Sequence, residues 1–114
     1  MRLIAVVLVV LISMTAFADG RSSAADTAAG KAVYSQTCIA CHGANGKGAI
    51  PGIQDLTAAN GPLSKSDEEL LASIAEGFQS AGSPMAMPPK GGNSALSAAD
   101  VTAVLDYIKK SFAE

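Results

Sequence analysis

Cys38-Ile39-Ala40-Cys41-His42 is the stretch on which the reading of this chain turns. It holds both cysteines and the one histidine of the 114-residue sequence. The spacing lets two thiols add across the two vinyl groups of a haem while the neighbouring imidazole turns onto the iron. The expected product is one covalently held haem c. Two other chemistries share part of the pattern. Thiol exchange uses Cys-x-x-Cys with a low-pKa first cysteine at a helix N-terminus after a strand, but the segment ahead of Cys38 reads as helix. A closed zinc site wants four ligands, and the chain has no second cysteine pair.

Upstream, Gly30, Val33, Tyr34 and Thr37 recur at helical spacing, and Asp26 or Thr27 is placed to cap that helix. A glycine inside a helix costs about 1 kcal/mol relative to alanine, and a close crossing by another helix is the usual reason to accept it. Residues 19–25 are small and polar, a flexible leader. Residues 1–18 have Arg2, an apolar run from Leu3 to Ile12 and the small-residue pattern Ala16-Phe17-Ala18, the make-up of an export signal cleaved after Ala18. The run is too short for an ordinary transmembrane helix. The expected products are a 96-residue mature chain, a single domain over residues 26–114, and a bacterial periplasmic location without stable membrane insertion.

Without Arg2 the mature chain has seven basic residues against ten acidic, about −3. No basic patch points to nucleic acid, and a mildly acidic carrier favours a partner with a positive docking face.

Downstream, residues 43–63 are rich in glycine and proline and read as a long loop, which a compact domain tolerates when something fills the space. Ile50, Ile53 and Leu56 are candidates to cover a haem edge, and a carbonyl near Pro51 is the candidate acceptor for the second ring nitrogen of His42. Ser66 with Glu69 forms a capping box, followed by Leu70, Leu71, Ile74 and Phe78 at helical intervals. Ser97 with Asp100 forms a second, followed by Val101, Val104, Leu105, Ile108 and Phe112, and Lys109 and Lys110 suit the negative end of that helix. No segment reads convincingly as strand. With so few aromatics the core is thin, and the haem is expected to complete it.

Between the last two helices, Pro84, Pro88 and Pro89 stiffen a loop that contains Met85 and Met87. With no second histidine, the iron is left with His42 and a methionine, or with His42 and an open site. Met87, directly before Pro88-Pro89, is the favoured ligand. Met85 is the competitor and otherwise a flexible cover. A thioether favours ferrous iron and raises the potential relative to a second imidazole.

These residues resemble the class I c-type cytochromes, specifically the small bacterial single-haem kind. Cys38-Ile39-Ala40-Cys41-His42-Gly43 resembles the attachment motif and Ala86-Met87-Pro88-Pro89-Lys90-Gly91 the distal-ligand loop, while Gly30, Tyr34, Val104 and Tyr107 match the family's paired terminal helices. The resemblance implies an all-α cytochrome c fold of three to four helices around one haem, with Pro51 as the proline whose carbonyl orients the ligand histidine. The sequence lacks the tryptophan that serves a haem propionate in some relatives, which leaves Gln54, Asn60, Lys90 or the backbone. The expected function is electron transfer between a redox protein donor and acceptor by a monomer rather than catalysis, with Lys47 and Lys90 near the rim to orient a partner. A subunit of a periplasmic oxidoreductase complex, and an enzyme or gas sensor with a labile distal ligand, are the alternatives.

Overall fold

Gly30 is where the two ends of the domain meet. The computed structural model describes residues 24–113; the expected signal segment and residues 19–23 of the leader lie outside them. Helix α1 (Ala24–Val33) runs through a π-helical turn (Tyr34–Cys38) into a last short turn, α2 (Ile39–His42). Asp26 and Thr27 therefore lie inside the helix rather than at its cap, and Ala24 and Ala25, assigned to the leader from composition, are already helical.

Helix α4 (Ala98–Phe112) crosses α1 so closely that a Cβ on Gly30 would stand 2.8 Å from both the carbonyl carbon of Ala103 and Cβ of Tyr107. The absent side chain is what lets the backbones approach. Around the crossing Tyr34 and Val104 are almost fully buried. The Tyr34 ring lies 5.5 Å from Tyr107 and 5.4 Å from Phe112, centroid to centroid, and both pairs are tilted as aromatic quadrupoles prefer.

Both capping boxes form. Ser66 accepts from the Glu69 N–H and Glu69 from the Ser66 N–H at the start of α3 (Asp67–Glu76), and Ser97 and Asp100 do the same for α4. Leu70 and Ile74 of α3 are buried against the stripe Val101, Val104, Leu105, Ile108 and Phe112 of α4. Each such side chain contributes roughly 1.5–3 kcal/mol by leaving water. Lys109 pairs with Asp67, so the last turn of α4 is tied to the first turn of α3.

Helix α3 stops one turn earlier than its apolar spacing suggests. Gly77, at φ 87°, closes it, and Phe78 lies beyond the end, 38% exposed. Among the described residues there is no strand; the one extended pairing is an isolated antiparallel bridge between Phe78 and Met87. The fold is thus a small all-α bundle, with one long irregular segment between α2 and α3 and another between α3 and α4.

Candidate functional site

The π-turn delivers the cysteines. Its wider hydrogen bonding, with the Ile39 N–H reaching back to the Tyr34 carbonyl, interrupts the α-helix from Tyr34 to Cys38 itself, and such turns recur at functional sites. Gly43, at φ 78°, then ends α2, and its carbonyl accepts a 2.5 Å hydrogen bond from the Tyr34 hydroxyl. The motif is therefore fastened at both ends to the helix crossing. Burial, with Cys38 and Tyr107 adding to it, pushes the Tyr34 hydroxyl up to about 12, so it stays a donor throughout the physiological range.

Cys38, Cys41 and His42 open into a cavity of about 440 Å³, within the span usual for bound organic groups. Leu70 and Ile74 of α3 and Leu105 and Ile108 of α4 supply apolar lining. Ile53 and Leu56 come from the glycine-rich loop, and Met85, Met87 and Pro88 from the proline-rich one. Met87 is half-buried, whereas Met85 is 39% exposed at the edge. All four expected haem-holding residues thus face one cavity, along with four of the five secondary candidates.

Pro51 is the exception. It lies on an exposed turn off the cavity lining, and Nδ1 of His42 is buried with no hydrogen-bond partner. The intervening loop closes on itself instead: the Gly48 N–H donates to the His42 carbonyl, Ala49 to Cys41, and Ile53 to Ile50. Ile50 is likewise exposed and off the lining. Of the propionate candidates Gln54 reaches the lining, while Asn60 and Lys90 do not.

Three contributors were not anticipated. Phe78 lines the cavity, and Lys65 lies with its Nζ 4.0 Å from the centroid of the Phe78 ring, a cation–π contact that puts a positive charge at the cavity's edge. Leu63 also lines it. For Phe78 the only sequence signal was the amphipathic pattern, which reports burial without saying against what; Lys65 and Leu63 gave none.

The donor set fits a haem better than the alternatives. Burial, with Cys41 adding to it, pushes the Cys38 thiol up to about 11, the opposite of the activation that thiol exchange requires. Among the described residues no group of three or more His, Cys, Asp and Glu is placed to hold a metal ion, so zinc finds no closed set. Burial lowers the pKa of His42, favouring the neutral imidazole that ligates metals.

Among the described residues no helix is long and apolar enough to cross a membrane. A family model described as "Cytochrome C oxidase, cbb3-type, subunit III" matches residues 25–108. Cytochrome c-555 of Chlorobaculum tepidum is 32% identical over 98 residues, covering 86% of this chain and 88% of that protein. Cytochrome c-555 of Chlorobaculum thiosulfatiphilum is 35% identical over 83 residues, covering 73% and 93%. The match takes in the crossing at Gly30, the attachment motif and the methionine loop. The chain therefore belongs to the small class I c-type cytochromes, haem-bearing electron carriers of the bacterial periplasm.

Proposed function

We propose that this protein shuttles single electrons between two redox proteins, with one haem that Cys38 and Cys41 would hold through thioethers and whose iron His42 and Met87 would ligate. The bound haem supplies the one-electron ferric–ferrous couple. Everything else is the polypeptide's work. The neutral imidazole of His42 is fixed by its place directly after Cys41. Met87 offers a soft, uncharged sulfur that raises the potential relative to a second imidazole. Leu70, Ile74, Leu105 and Ile108 exclude water from one side of the cavity. Because His42 and Met87 are both positioned on the cavity, they would hold the iron of a bound haem in either oxidation state with little movement of the chain.

The observation that carries this reading is that Cys38, Cys41, His42 and Met87, from two segments far apart in sequence, line one cavity of haem-accepting size. The test is a pair of spectra. Met87→Ala is expected to give a high-spin or water-ligated ferric protein with a lower potential, while Met85→Ala leaves the spectrum of the parent. The reverse pattern moves the ligand to Met85. Fast cyanide or carbon monoxide binding by the parent, without a methionine-to-iron charge-transfer band, supports the sensor or enzyme alternative instead.

The description of the matching family names an oxidase subunit, which favours a second reading in which the chain is the haem c component of an oxidoreductase complex. Native purification separates the two: co-elution with a larger redox enzyme at fixed stoichiometry supports the subunit, and a free small protein supports the shuttle.

A further inference from the structure

The end of α3 grips the loop that carries Met87. The Met87 N–H donates to the Phe78 carbonyl at 2.7 Å, and the Phe78 N–H donates to the Met87 carbonyl at 3.0 Å. This two-way backbone pair is the sole extended pairing among the described residues. It closes the eight-residue loop between Phe78 and Met87, which otherwise holds itself with short turns such as the Ser83 N–H to the Ser80 carbonyl.

Phe78 can pair only because the helix stops in time. Gly77 has φ 87° and ψ 166°, a conformation that is nearly glycine's alone. A Cβ there would stand 2.7 Å from the Met87 carbonyl oxygen and 3.1 Å from the Pro89 nitrogen, both of them main-chain atoms that no rotamer change can move aside. Behind Gly77, Leu70 and Ile74 seat α3 in the core. Beyond Met87, the turn Pro89–Gly92, left-handed at Lys90 and Gly91, rests on Thr37, where Gly91 leaves room for the Thr37 methyl and Asn93 donates to the Thr37 hydroxyl at 3.3 Å. Thr37 directly precedes Cys38. Met87 is thus suspended between the end of α3 and the neighbour of the first cysteine.

We propose that Gly77 and Phe78 are positioning residues for Met87: the close approach at Gly77 and the backbone pair at Phe78 set how firmly the loop presents its sulfur. This rests on Met87 being the distal ligand. Gly77→Ala forces the α3 end and the Met87–Pro89 backbone apart, lengthening or loosening the sulfur's reach, while the helices and the attachment motif stay as they are.

The test uses the holoprotein with Gly77→Ala, and Gly82→Ala as control. Gly82 also has a positive φ, 77°, and lies in the same loop, but a Cβ on it meets nothing within 4 Å. The expected result for Gly77→Ala is a weakened methionine-to-iron band, a lowered potential and cyanide displacement faster by about tenfold or more, with far-UV circular dichroism unchanged. Gly82→Ala is expected to keep the spectrum and cyanide rate of the parent. Equal behaviour of the two variants overturns the proposal and leaves Met87 ligation standing. A parent without the methionine band overturns both readings, and Met87→Ala then matches the parent. Should Gly77→Ala fail to fold, hydrogen exchange in the parent decides: protected Phe78 and Met87 amides beside a freely exchanging Gly82 support the clamp, and unprotected ones refute it.

Discussion

Gly30→Ala separates two physical effects of opposite sign. Helix propensity alone favours the substitution by about 1 kcal/mol. The crossing opposes it: the new methyl would lie 2.8 Å from the Ala103 carbonyl carbon and 2.8 Å from Cβ of Tyr107, and closer still to the Ala103 carbonyl oxygen. Carbon atoms rest at about 3.5–4.0 Å, so the two helices must part by about 1 Å, and they carry Tyr34, Tyr107 and Phe112 with them. Overpacking costs about 1–3 kcal/mol, and the upper end applies because the obstacle is main chain. The net loss is about 2 kcal/mol, a fall in Tm of about 8–16 °C for a domain of this size. Thermal unfolding of the holoprotein, followed by far-UV circular dichroism at fixed pH, measures it. Ala29→Gly, one residue earlier and exposed, serves as the reference. It should lose about 1 kcal/mol from propensity alone. A Gly30→Ala protein that melts at or above the parent refutes the close crossing.

Tyr34→Phe leaves the Gly43 carbonyl without its donor and should cost about 1–3 kcal/mol in denaturant titrations. Because the folded-state pKa of Tyr34 is raised from 10.0 to about 12, its contribution is complete below the lower value and is lost as pH climbs through the upper one; the variant should lack that alkaline limb. At the acid end, the Ser97 N–H and then its hydroxyl hold the Asp100 carboxyl below its usual value, so its contribution is present above that value and is lost as pH falls through the lowered one. Asp100→Asn should flatten the acid decline of stability, and an unchanged profile counts against the capping box. The double variant Cys38→Ala with Cys41→Ala removes the proposed attachment points. Without the haem the apolar walls of the cavity lose the group that packs against them, and a small domain with a thin core has only about 5–15 kcal/mol of stability to lose. Loss of cooperative unfolding is expected, and a sharp parent-like melt refutes the idea that haem completes the core.

The helices were legible because their signals are local. Ser66 with Glu69 and Ser97 with Asp100 announce two starts, and the stripe from Val101 to Phe112 is buried at every position expected. The candidate site was legible as a meeting place of rare residues: the two cysteines, the one histidine and the methionine beside paired prolines all line one cavity. What escaped depends on contacts between segments. The Phe78–Met87 pair joins residues that no periodicity connects, and Phe78 read as a further helical turn because its spacing continues the apolar stripe past Gly77. Pro51 was assigned from its place in the loop after the motif and from the resemblance, but the loop around it satisfies its own hydrogen bonds and leaves His42 Nδ1 unpaired. Lys65 gave no signal, since one lysine before a capping box reads as solvated surface.

The turn from Tyr34 to Cys38 has a consequence for chain length. Two ordinary helical turns take about seven residues, yet Cys38 follows Gly30 by eight. The widened turn absorbs the surplus, so that both residues end on the same inward side. Shortening the chain by Ser35 or Gln36, both exposed, closes the segment to a plain α-helix with the two faces still in line. Lengthening it by one swings the thiols away by about 100°. This interval can lose a residue and keep its aim, and it cannot gain one.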